Sequence, residues 1–352
     1  MTAAAQLTEA ILRPAPSRTG PAVAQRIRDR LAGNVPDLVA PLPPGEQIVV
    51  SVPILRQLAS GGDNPTIRPD DPFAWKPAFV RRSLGLAAID ACLAGYFRAP
   101  LEAVGPVAER AVAEWERSGW RTFHWEPWYA GLGTGGRGAV LAEASNWATG
   151  VWASLDWGQF RTAPRLGGPD DQWVCPGPRT VRLKGRSEIR IDLPSPEPSD
   201  SGSGSSLRSG SGSGSGSTLR SGSGSGSGST TQQVLVAVAG GSPPSGLDVQ
   251  LGYLALVAAL RTPTRPAPVR VVGLWPQAGE ARTVEVTDEL LARAGDTALD
   301  AVRAVVRTRG GSPMDGAGLG VGGGADALGT TDRLGTGDPA SGSAAIEALA
   351  AA

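Results

Sequence analysis

At 352 residues the chain could hold two average domains, but the Gly/Ser run at 200–231 and a Gly-rich C-terminal stretch cannot bury apolar surface, so one large domain is expected. Lys plus Arg and Asp plus Glu balance at 33 each, which excludes a global field drawing in nucleic acid, acidic substrates or a membrane surface; any such contact must be local. Cys92 and Cys175 lack a metal-ligand spacing, Met1–Leu12 lacks the basic and apolar regions of a signal peptide, and Leu251–Leu260 is too short to cross a bilayer core of about 30 Å, so a reducing cytoplasm is the expected location.

Residues 1–19 are expected to be a flexible N-terminus, 20–309 one α/β domain interrupted by a disordered insertion at 200–231, and 310–352 a disordered Gly/Ala-rich tail. A helix-like stretch at Ala22–Leu31 leads through Pro41-Leu42-Pro43-Pro44-Gly45 to a short apolar run, Gln47–Leu55. After the loop Gly61–Pro72, helical spacing covers Pro77–Leu93 and then Pro100–Ser118, with Gly119 as the C-terminal stop. Residues 120–136 are aromatic and then Gly-rich, and a third helix at Gly138–Leu155 carries one apolar stripe.

Val181–Asp192 alternates without an error over its twelve residues, which predicts a single strand with Glu188 on a polar face beside Arg182, Lys184, Arg186 and Arg190. In the insertion, Leu207-Arg208 and its Ser/Gly run recur as Leu219-Arg220 twelve residues on, a duplication too short to be a stacking repeat. Val234–Val238 reads as an apolar, sheet-interior strand, followed by a helix at Leu247–Leu260, strands at Val269–Trp275 and Arg282–Val286, and a helix capped by Thr287 that reaches Arg307.

Chemistry has few places to happen, because the 33 basic residues include only two lysines, Lys76 and Lys184, and the chain has one histidine, His124. Gly131-Leu132-Gly133-Thr134-Gly135-Gly136 fits G-x-G-x-x-G before a helix, but Pro127 interrupts the segment that would be its strand, so a loop is the expected reading over a nucleotide site. His124-Trp125-Glu126 has no third metal ligand in view, and Ser187-Glu188 has no triad histidine. Trp147 and Trp152 fall on or near an apolar helix face and read as core.

The order of helix, Gly-Arg-x-acid strand, apolar strand ending in glycines, helix, strand hairpin and helix resembles the PD-(D/E)XK nuclease superfamily, specifically the RecB-type C-terminal nuclease domain, over residues 80–307. Leu183-Lys184-Gly185-Arg186-Ser187-Glu188 is similar to the family's Gly-Arg strand with its metal-binding acid, here Glu188, and Asp248–Tyr253 is similar to its following helix with Gln250 and Tyr253. The resemblance implies a restriction-endonuclease-like mixed central sheet flanked by helices, a DNA substrate, and two carboxylates holding magnesium beside a lysine. The family's Asp-x-Lys falls on Val236 and Val238, or on Ala237 and Ala239 in the neighbouring register, so neither register supplies a carboxylate or an amine. The early-helix histidine falls near Ile89 or Asp90, leaving Asp90 as the candidate second ligand beside Glu188. Lys184 shares the polar face of Glu188 but stands about 13 Å along the strand, and Lys76 has no place in the motif order.

These residues lead to the expectation of a catalytically degenerate nuclease fold, associated with DNA or DNA-processing proteins, with magnesium relevant only if activity persists. The alternative is a structural or protein-interaction domain without nucleic acid or metal, in which Glu188 simply pairs with Arg186 or Arg190.

Overall fold

The computed structural model describes residues 1–15, 20–59, 77–119, 125–160, 162, 164–167, 171–175, 177–193, 232–244, 246–261 and 267–309. The Gly/Ser insertion, the C-terminal tail, the loop expected at Gly61–Pro72, Lys76 and His124 lie outside the described residues.

The first element corrects an expectation. α1 (Ala3–Leu12) forms within the stretch read as a flexible N-terminus: the Thr2 hydroxyl caps it, accepting from the Ala5 amide at 3.2 Å, and Leu7 and Ile11, one turn apart, enter the core. α2 (Pro21–Val39) starts on Pro21, whose missing N–H costs nothing in a first turn, and buries Ile27, Leu31, Val35 and Val39 at four-residue spacing. The apolar run expected at Gln47–Leu55 is divided into β1 (Gln47–Val50) and α3 (Val52–Ala59), because Pro53 cannot donate to a ladder yet fits the opening turn of a helix.

α4 (Pro77–Leu93) and α5 (Pro100–Ser118) fall where the periodicity places them, and Gly119, at φ 68°, ends α5 by donating to the Trp115 carbonyl at 2.8 Å. α6 (Glu126–Ala130) is followed by α7 (Thr134–Ser154), which begins four residues ahead of the expected Gly138. The G-x-G-x-x-G segment is therefore a turn at Gly131–Gly133 directly behind α6, with Thr134–Gly136 already in α7.

β2 (Arg165–Leu166) and β3 (Asp171–Cys175) were not expected. The strand expected at Val181–Asp192 is two strands, β4 (Thr180–Gly185) and β5 (Ile189–Leu193), broken at Arg186–Glu188. The alternation survives on both sides of the break, so period alone carries no sign of it. β6 (Gln232–Val238), α8 (Leu247–Arg261), β7 (Arg270–Trp275), β8 (Glu280–Glu285) and α9 (Asp288–Arg309) complete the order, and the Thr287 hydroxyl accepts from the Leu290 amide at 3.2 Å at the head of α9.

The strands form two sheets, so the molecule is mixed α/β with helices flanking the sheets. The smaller runs β1-β4-β3, with β1 parallel and β3 antiparallel to β4; the larger runs β2-β5-β6-β7-β8. β5 is antiparallel to β6, α8 crosses over to return the chain parallel in β7, and β8 closes a hairpin. β6 lies inside the larger sheet, as its apolar sequence predicts: Val234, Val236 and Val238 pack toward α1, α4, α5, α6 and α7, while Leu235 and Ala237 pack toward α2, α8 and α9. No helix among the described residues is long and apolar enough to cross a membrane.

Two glycines set close approaches. A Cβ on Gly85 of α4 would collide with the Trp147 indole of α7, and one on Gly185 would stand 3.2 Å from Val257 Cβ and 3.3 Å from Leu254 Cδ2 of α8. At Gly185 the absent side chain lets α8 settle on β4, just ahead of the three residues that carry the chain from one sheet to the other.

Candidate functional site

The break between β4 and β5 places Glu188 where the chain enters the larger sheet. Its amide donates to the Val236 carbonyl at 2.9 Å, and its carbonyl accepts from the Gly167 amide at 2.8 Å. The carboxylate is buried, with its side chain 4% exposed, and both of its oxygens are engaged. Oε2 accepts from the Val238 backbone N–H at 2.7 Å, and Oε1 accepts from Nη1 of Arg82 on α4 at 3.0 Å. Burial pushes the Glu188 carboxyl up from its ordinary range; the Arg82 guanidinium, the Val238 amide and Arg186 pull the other way without cancelling it.

Phe79, one turn ahead of Arg82, carries the guanidinium of Arg186 at 5.5 Å and that of Arg82 at 6.0 Å from its ring centroid. The charges acting on Glu188 are thus two arginines. Glu188 does not pair with Arg190 of β5, two residues on, as one reading had it: Arg190 donates to Asp171 at 3.0 Å, and Arg261 of α8 completes that buried carboxylate at 2.8 Å. The cause is the α4 helix, which brings Arg82 directly over the sheet, whereas residues two apart on a strand stand about 7 Å from each other.

Next to Glu188 on β6 stand Val236 and Val238, both packed into the core on the α4 side, with Ala237 on the opposite face. What β6 offers Glu188 is a backbone amide. Asp90 is half-buried on α4, about 12 Å along the helix from Arg82, and burial raises its carboxyl; it is not among the groups that act on Glu188. Among the described residues no cluster of three or more His, Cys, Asp or Glu could hold a metal.

The remaining motif residues go elsewhere. Gln250 of α8 is buried and accepts from Nε of Arg56 on α3 at 2.7 Å. The fully buried Tyr253 hydroxyl donates to the Val50 carbonyl at 2.8 Å, and burial raises its phenol. These two side chains staple α8 to β1 and α3. Lys184 lies on β4 of the smaller sheet opposite Gln172, not on the sheet that holds Glu188's partners. The set gathered by the resemblance is therefore split over four places.

No protein-family model and no curated protein matches the chain.

Sequence reasoning missed Arg82 and Phe79. The signal was available: Arg81-Arg82 interrupts an otherwise apolar stretch of α4, and cations on a helix that packs on a sheet need an acid beneath them. Of the His124-Trp125-Glu126 segment, Glu126 is the buried first residue of α6, and Trp125 before it is buried as well.

Proposed function

We propose that this chain is a RecB-type PD-(D/E)XK domain that no longer cuts, and that it serves as a non-catalytic, DNA-associated component of DNA processing. One observation carries the reading. In the β5, β6, α8, β7 order that the resemblance leads one to expect, the acid at the metal position, Glu188, has both oxygens committed to Arg82 and the Val238 amide.

The donor set does not suit magnesium, which takes oxygen ligands in near-octahedral geometry. Val236 and Val238 present no oxygen ligand from their side chains, and Arg82 supplies the positive charge that a cation would bring. A guanidinium in that role stabilises the fold but generates no hydroxide. The domain keeps the scaffold and loses the reaction.

The experiment is a cleavage assay on labelled single- and double-stranded DNA with magnesium or manganese, paired with thermal denaturation at the same metal concentrations. No cleavage and no metal-dependent rise in Tm are expected. Magnesium-dependent cleavage that Glu188→Ala abolishes would overturn the proposal.

A further inference from the structure

The small β1-β4-β3 sheet has one face in the core and one face that no described helix covers. Ile48, Val50, Trp173, Cys175, Val181 and Leu183 point inward and are buried. The alternate residues point outward: Val49 and Val174 flank Arg182 across the two ladders, and Gln172 stands beside Lys184. The strand period that fills the core thus sets the two cations of β4 on one open face, about 7 Å apart.

That face carries no acid on its three strands. Neither Arg182 nor Lys184 has an ion pair or a side-chain hydrogen bond among the described residues, and the Arg182 Nε is buried without a partner. Other cations that lie against a sheet or helix face are paired. Arg82, Arg165, Arg190, Arg261, Arg270 and Arg309 each hold a carboxylate.

We propose that the outward face of the β1-β4-β3 sheet is the surface on which duplex DNA lands, with Arg182 and Lys184 as its phosphate contacts. The inference rests on the DNA-associated reading above and names where that association happens. A partner that supplies negative charge at regular intervals satisfies both cations at once, and a spacing of about 7 Å equals the axial rise of roughly two nucleotides of one strand. Among its described strand residues the outward face has no aromatic platform, so it contacts the backbone and reads no bases. Binding there is weak and independent of sequence. It also lies apart from Glu188, so it survives the loss of the catalytic groups.

The test uses the full chain and a fluorescently labelled mixed-sequence duplex, with anisotropy titrations between roughly 50 and 200 mM KCl. Two phosphate contacts predict a log–log slope near about −1.8, falling by about 0.9 in Lys184→Gln and again by about 0.9 when Arg182→Gln is added, and restored in Lys184→Arg. Circular dichroism melts of each variant check that the fold is intact; Lys184, half-exposed, is the cleaner of the two positions. Duplex binding whose slope is unchanged in both variants overturns this surface while leaving the DNA-associated reading in place. Absence of any duplex binding by the unmodified chain overturns both. Binding of polyglutamate with the same dependence on Lys184 also overturns the proposal, because the partner is then an acidic protein.

Discussion

The Glu188 carboxylate is held between a cation and a backbone amide in a place water does not reach, so its removal has two costs. Glu188→Ala leaves the Val238 N–H without an acceptor and Arg82 without its partner, and a loss of about 3 kcal/mol in denaturant unfolding is expected. Glu188→Gln keeps an oxygen for the amide and should cost less. The two variants also separate in pH. Because the native carboxyl is raised above its unfolded value, the native state holds the proton over a range in which the unfolded state has released it. The stability of the unmodified protein relative to Glu188→Gln should therefore be greatest below the unfolded value of about 4.5 and decline as pH rises above it. Parallel urea titrations from acid to neutral pH read this directly; a relative stability that climbs with pH would mean that the Arg82 pair outweighs burial.

Elements were more legible than their joins. α4, α5, α8 and α9 appear where periodicity, Gly119 and Thr287 place them, because a stripe and a cap are local signals. The division of Val181–Asp192 into β4 and β5 was hidden, since both halves bury their odd-numbered residues and nothing local says that the partners change from β1 and β3 to β2 and β6. β2 and β3 were missed for a related reason: two and five residues of strand leave too little pattern to rise above the Gly and Pro around them. At the site, the absence of a carboxylate or amine could be read from Val236 and Val238, but the pairing of Arg82 with Glu188 required knowing how α4 packs over the sheet. The other side of α4 is held against α7 at Gly85, where it meets the Trp147 indole. Gly85→Ala should destabilise the protein by about 1–3 kcal/mol through overpacking, and Trp147→Leu in the same chain should recover part of that loss; denaturation midpoints of the single and double variants check it.

Over the whole molecule, the larger sheet serves two cores, so α1, α4, α5, α6 and α7 on one face and α2, α8 and α9 on the other depend on the same strands. Arg270 extends that dependence to the N-terminal helix. It begins β7, is 1% exposed, pairs with Glu285, and donates to the carbonyls of Ile11 in the last turn of α1 and of Arg13 and Pro14 just past it. Deleting residues 1–12 removes Ile11 from the core and one of those acceptors, and a loss of about 3 kcal/mol is expected; Arg270→Met added to the deletion should cost further stability, because Arg270 still holds Glu285 and the Arg13 and Pro14 carbonyls. Chemical denaturation of the two shortened proteins compares them. The same contact has a bearing on synthesis. α1 leaves the ribosome well before the groups it rests on: the Asp156 amide that donates to Thr8 lies 148 positions on and Arg270 lies 259 positions beyond Ile11, so its apolar side stays open to chaperones and to neighbouring chains while the intervening chain is made.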